Sequence, residues 1–226
     1  MSKRFNFAIN KLSLDGLSTK KLNMLLNDAP YSDDSGVGIL ESNSESNVVS
    51  SLLLKRLPTF IDAYNQATGE LEKSQIFVFK EVVFYVDIKY SLVYSMGNST
   101  SLSYVRSLLK SILGEVSFTA TDISPYKVFN KFLEEEVQAT VEEVCINEYN
   151  LNNRAIGKFT AKILDAEIAG ELVDLYKEDV VRIVFNIQEE YGNSFTLFIH
   201  NNNALSITCD PDDVSSNFET IKSILF

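Results

Sequence analysis

IFVFKEVVFYVDIKYSLVYSM, residues 76–96, is the stretch on which the fold turns. β-Branched and aromatic residues crowd it, and such residues fit a pleated, half-buried surface. Its 21 residues exceed the usual length of one strand, so consecutive antiparallel strands are expected, with reversals near Lys80-Glu81 and Asp87-Ile88-Lys89. The first expectation is therefore a meander. Downstream, Leu102, Val105, Leu108, Leu109 and Ile112 form one apolar helical stripe. Thr100 or Ser101 can cap its start and Gly114 can end it, which gives a helix able to cover one sheet face.

Upstream, residues 48–57 read as a strand ended by Pro58, which has no donor for a ladder. Residues 28–47 are rich in Ser, Asp and Glu and contain no base, so they read as a mobile acidic loop holding one short strand near Gly36-Val37-Gly38-Ile39-Leu40. Phe5, Phe7 and Ile9 alternate with polar neighbours over residues 4–14, and Ser18 can cap a short helix bearing Leu22, Leu25 and Leu26.

The second half follows the same grammar. A strand over 116–121 leads to Ser124-Pro125, a cap and first-turn proline for a helix carrying Val128, Phe129, Phe132 and Leu133. Strands are then expected over 140–149 and 156–164, a helix over 165–177, and strands over 180–188, 194–200 and 204–209. Asn152-Asn153, Tyr191-Gly192-Asn193 and Asn201-Asn202-Asn203 supply the reversals. Val214, Phe218, Ile221 and Leu225 form the stripe of a closing helix.

Lys110-Ser111-Ile112-Leu113 recurs as Lys222-Ser223-Ile224-Leu225, 112 residues later. The reversal at 87–91 matches that at 199–203 at the same offset, each followed by a strand and an amphipathic helix. The expected fold class is α+β, an internally duplicated antiparallel meander with covering helices. The first repeat is 1–114, a strand and linker helix occupy 115–136, and the second repeat is 137–226. In this order of elements the chain resembles the TATA-box-binding-protein-like superfamily, whose sheet is duplicated and saddle-shaped. The resemblance implies a curved sheet on which nucleic acid can lie.

Composition bounds the rest. The 226 residues are 45% hydrophobic, which excludes a disordered chain and allows one large domain or two small ones. No apolar run reaches the length of a membrane helix, and Lys11 interrupts the one N-terminal hydrophobic stretch, so a soluble, cytoplasmic chain without a membrane partner is expected. Cys145 and Cys209 lie far apart without a CxxC pattern and read as free, buried thiols. The net charge of −11 is unevenly spread. Residues 1–114 hold 12 basic and 11 acidic side chains, a net of +1, leaving 8 and 20, a net of −12, for the remainder.

Candidate chemistry is sparse. His200 stands at a strand end beside three asparagines, without a partner motif for nucleophilic catalysis, and reads as a hairpin histidine rather than a general base. Asp210, Asp212 and Asp213 offer oxygen ligands for a hard cation, but as a cap and an acidic first helical turn they need no metal. The Gly36-Val37-Gly38 stretch lacks the residues of a phosphate loop, so no nucleotide cofactor is expected.

Two macromolecular readings remain. The first is a non-catalytic binding or regulatory protein that docks to a protein partner or a second copy. Exposed Tyr85, Tyr90 and Tyr94, and the acidic run Glu134-Glu135-Glu136, are its candidate interface. The alternative is a nucleic-acid-binding saddle offering Lys3, Arg4, Lys11, Lys20, Lys21, Lys55, Arg56, Lys80 and Lys89 to phosphates. A carboxylate-metal enzyme ranks last.

Overall fold

A computed structural model describes residues 1–14, 16–151, 155–188, 194–202 and 204–226. The protein is α+β with an extensive antiparallel sheet and five α-helices among these residues. The chain forms two compact units. A terminal unit comprises Met1–Asn10 with Ala120–Phe226, and a central unit comprises Lys11–Thr119. Strand β1 (Lys3–Ser13) begins in the first and ends in the second.

In the central unit the order is α1 (Thr19–Asn27), β2 (Val37–Glu45), β3 (Val48–Asn65), β4 (Glu70–Asp87), β5 (Leu92–Met96) and α2 (Ser99–Leu113), with β6 (Ser117–Ala120) reaching its end. Strands β2 to β5 pair in sequence as an antiparallel meander. The Leu12 N–H donates to the Ser91 carbonyl at 2.8 Å, which ties the end of β1 to the turn before β5. Ser18 caps α1 by accepting from the Lys21 N–H, as its sequence position suggests. Asn98, rather than Thr100 or Ser101, caps α2, and Gly114 ends it at φ 73°. That left-handed backbone is open to glycine without steric cost. Leu22 and Leu26 of α1, Leu102, Val105 and Leu109 of α2, and Val49, Leu53, Val82, Phe84 and Val86 of the sheet are all buried.

Three expectations are corrected here. Lys80-Glu81 is not a reversal, because β4 runs straight through it and turns back only after Asp87. Pro58 does not end β3. The β2 ladder stops at Lys55, so the outer edge of β3 at Pro58 asks for no donor, and an edge tolerates proline. Residues 37–45 form a full nine-residue strand in place of a short one inside a loop. Ser42 supports it from the buried side, where its hydroxyl meets Ser51 Oγ at 2.7 Å.

In the terminal unit α3 (Pro125–Glu134), β7 (Ala139–Leu151), β8 (Ala155–Lys162), α4 (Ala166–Tyr176), β9 (Val180–Gln188), β10 (Ser194–His200), β11 (Ala204–Cys209) and α5 (Val214–Leu225) follow in turn. The sheet order is β1-β11-β10-β9-β7-β8, antiparallel at the pairs from β1 to β8. One face carries Phe7, Leu205, Ile207, Leu197, Ile199, Ile183 and Phe185, all buried. Phe218 of α5 stacks on Phe7 at 4.2 Å, and Phe132 of α3 meets Phe185 at 4.9 Å. Such ring pairs contribute about 0.5–1.5 kcal/mol beyond the area they bury. Both cysteines are free and buried. The expected turns at Asn152-Asn153, Tyr191-Gly192-Asn193 and Asn203 lie outside the described residues.

Candidate functional site

The most distinctive feature is the β3–β4 hairpin. Its ladder runs without a break from Val48↔Asp87 to Asn65↔Glu70. The β2 pairing ends at Lys55 and the β5 pairing begins at Phe84, so the stretch beyond them is a two-stranded arm. At about 3.3 Å per residue, the ten residues from Arg56 to Asn65 extend it by roughly 30 Å.

Directly opposed residues of an antiparallel pair share a face, and alternate rungs lie on opposite faces. One face of the arm carries the rungs Arg56↔Phe79, Pro58↔Phe77, Phe60↔Gln75, Asp62↔Lys73 and Tyr64↔Leu71. The other carries Lys55↔Lys80, Leu57↔Val78, Thr59↔Ile76, Ile61↔Ser74, Ala63↔Glu72 and, on the last rung, Glu70. The first face is aromatic, and Phe60, Tyr64, Phe77 and Phe79 are 51–64% exposed. The second is aliphatic, with Ile61, Ile76 and Val78 between 38 and 45% exposed. At 150–250 Å² per fully exposed ring, the four aromatic residues alone offer roughly 400 Å². A patch of roughly that size matches the largest on a typical monomer, and such patches are often functional.

The arm is braced at its root. Arg56 donates from Nη2 to the Asp33 carbonyl at 2.6 Å and lies over the Phe77 ring at 4.7 Å. Tyr31 meets Phe79 edge-on at 6.2 Å. On the aliphatic side the Lys80 ammonium sits 5.6 Å from the centre of the Tyr104 ring of α2.

A second arrangement lies on the polar face of the terminal unit's sheet. Arg4, Asn6, Thr196, Phe198, His200, Arg182 and Ser206 fall on it by register. The Arg4 guanidinium lies 3.9 Å over Phe198, donates to Ser206 Oγ and approaches His200 Nε2, both at 3.3 Å. Arginine can only donate, so His200 accepts at Nε2 and carries its proton on Nδ1. Burial, then the charges of Arg4 and Arg182, lowers the His200 pKa. Arg182 is itself paired with Glu143.

The structure distributes the basic residues named above between the two units. Lys3 and Arg4 belong to the terminal unit; Lys11, Lys20, Lys21, Lys55, Arg56, Lys80 and Lys89 belong to the central one. Lys20 and Lys21 line a shallow cleft of about 450 Å³ with Ser18, Asn23 and Met24, and these described residues form no catalytic acid, base and nucleophile set. Tyr94 is buried at 3% exposure and stacks on Tyr85 at 5.0 Å, so it cannot serve as an exposed interface residue. Tyr85 and Tyr90 remain half-buried, and Lys89 donates to the Tyr90 hydroxyl at 2.9 Å. Glu134, Glu135 and Glu136 are exposed where α3 ends. Asp210 accepts from the Asp212 N–H and pairs with the N-terminal ammonium at 3.4 Å. Among the described residues no group of three His, Cys, Asp or Glu is placed to hold a metal ion.

The exposed arm residues Phe60, Ile61, Tyr64, Leu71, Phe77 and Phe79 are the ones that reading the sequence overlooked. A signal was present. Leu57-Pro58 with Phe60-Ile61, and Ile76 through Phe79, are apolar at adjacent positions, so both faces of any strand there must be apolar. No helix among the described residues is long and apolar enough to cross a membrane. No protein-family model matches the chain, and no curated protein matches it.

Proposed function

We propose that this is a non-catalytic docking protein, and that the β3–β4 arm is the element it presents to another protein chain. The observation that carries this reading is the arm's exposed apolar surface on both faces, beyond the last strand that could cover either edge. Burial of that surface is favourable at about 25 cal/mol per Å². Charge favours protein over nucleic acid here. From Arg56 to Phe79 the arm holds Asp62, Glu70 and Glu72 against Arg56 and Lys73, a net of −1, and so offers phosphate no concentrated positive charge. Photo-crosslinking residues placed at Phe60 and Ile61 in the native cell are expected to join the arm to one discrete protein species. Leu164, 99% exposed and outside the arm, serves as the control position. Equal labelling from Leu164 and the arm would overturn the reading.

A second reading rests on the Arg4–His200–Arg182 face. Two guanidinia and several amide and hydroxyl groups on one sheet face suit phosphate and base contacts, in keeping with the saddle-like resemblance. The duplication is part of this proposal. β5 and β11 begin 112 residues apart, and α2 and α5 end 112 residues apart. Arg4→Gln should then weaken binding of single- or double-stranded DNA or RNA at low salt. Absence of salt-sensitive binding in the unmodified protein would end this second reading.

A further inference from the structure

We infer that the arm's partner is a second copy of this chain, the two arms packing antiparallel through their aliphatic faces about a twofold axis. This rests on the docking reading above and names the occupant.

The argument is the charge order along that face. Lys55 and Lys80 oppose each other at the root, and Glu72 and Glu70 stand on the last two rungs at the tip. Between them lie Leu57↔Val78, Thr59↔Ile76 and Ile61↔Ser74, without a charge. The face is thus positive at one end, uncharged in the middle and negative at the other. Such a pattern is its own complement when turned end for end. With the axis midway between the Thr59 and Ile61 rungs, the Lys55↔Lys80 rung of one copy overlies the Asn65↔Glu70 rung of the other. Leu57↔Val78 then overlies Ala63↔Glu72, and Thr59↔Ile76 overlies Ile61↔Ser74. A parallel stack places lysine on lysine and glutamate on glutamate, which like-charge repulsion disfavours. A twofold contact of this kind is isologous and closes at two copies.

The aromatic face lacks this order. Arg56 and Glu81 stand together at its root and Asp62 opposes Lys73 near its tip, so each end is neutral in itself. The aliphatic footprint is about 30 Å by two strands of 4.8 Å spacing, roughly 300 Å² per copy, well under the 800 Å² of a standard interface. The dimer is therefore weak, and its population rises with concentration into the submillimolar range.

Sedimentation equilibrium of the full chain over such a concentration series tests this. The unmodified protein is expected to go from monomer to dimer. The K55E/K80E variant, acidic at both ends of the face, and the E70K/E72K variant, basic at both, should each self-associate at least about tenfold more weakly. Mixed together, the two should form a heterodimer, because the acidic root of one then meets the basic tip of the other and its acidic tip meets the other's basic root. Ile76→Asp on the aliphatic face should abolish the dimer, while Phe60→Asp on the opposite face should spare it. These positions lie in the arm or, for Lys55 and Lys80, at its half-buried root, outside the buried cores, and circular dichroism checks that each variant stays folded. A monomeric unmodified protein throughout the series, or two charge variants that fail to pair, overturns the inference. If the arm still crosslinks to a different protein in cells, docking stands and only the second copy as partner is lost; if it crosslinks to nothing, docking itself fails.

Discussion

At the end of β10, His200 is held neutral by its surroundings, and this has a pH consequence of known sign. Burial first, and the guanidinia of Arg4 and Arg182 second, lower its pKa from the ordinary 6.5. The unfolded chain therefore binds more protons at this site than the folded one does. Stability contributed here is intact above about pH 6.5 and declines as pH falls toward and through the lowered folded value. His200→Gln retains an acceptor for Arg4 but cannot titrate. Urea denaturation across a pH series should show the variant losing less stability on acidification than the unmodified protein, with the two nearest at neutral pH. A second residue-scale case is the buried hydroxyl pair of Ser42 and Ser51, 2.7 Å apart. Ser42 gives its one proton to Asn23 Oδ1 at 2.7 Å, so it accepts from Ser51. Ser42→Ala leaves the Ser51 hydroxyl buried without that acceptor and should cost about 1–3 kcal/mol. Removing both hydroxyls should cost less than the two single losses combined, a departure from additivity that a double-mutant cycle in urea measures.

Among elements, β2 and the segment leading into it show how polar sequence can be ordered. The Ile39 N–H donates to the Ala29 carbonyl and the Tyr31 N–H to the Ile39 carbonyl, which fold the segment back across the strand. Gly38 permits this approach. A Cβ there would stand 2.4 Å from the Tyr31 backbone N and Cα, atoms that cannot swing away as a side-chain tip can. Gly38→Ala should destabilise the central unit by about 1–3 kcal/mol, the usual cost of overpacking, and free Tyr31 from Phe79, which tyrosine fluorescence and urea denaturation together would register. Elements of this kind divide by how local their causes are. Helices α1, α3 and α5 were legible because a cap and a 3.6-residue stripe lie within one short window. Strands β9, β10 and β11 were legible from alternation between turn residues. The arm was not. The length of a typical strand argues for a turn at Lys80-Glu81, yet Phe77 and Phe79 on one face and Val78 and Lys80 on the other continue the ladder through it. Ser18, Asp210 and the Ser124-Pro125 cap could be read from neighbours two or three residues away. The Arg4–His200 contact could not, because it joins residues 196 apart in the chain.

On the scale of the whole molecule, the buried cores and the arm should respond oppositely to deletion. Phe218 stacks on Phe7 within the terminal unit and is 3% exposed. Phe218→Ala removes a buried ring whose neighbours come from both ends of the chain, and the cavity left behind should cost about 3–5 kcal/mol. The arm adds little to either core, since Phe60, Ile61, Tyr64, Leu71 and the residues opposite them are exposed on both faces. Leu57 and Val78 oppose each other across the ladder, so an Asn-Gly turn joining them closes a short hairpin after residues 58–77 are removed. The shortened protein loses many exposed ladder hydrogen bonds, but each exchanges protein for water at small net cost. It also loses the ordering cost of the deleted residues. Its unfolding free energy in urea should therefore stay within about 1 kcal/mol of the parent's, against the several lost in Phe218→Ala. Binding of a fluorescent apolar dye should fall in the shortened protein, because the largest exposed apolar surface is gone. If truncation instead unfolds the central unit, the arm belongs to its core, and the separation of a folding body from a docking element is wrong.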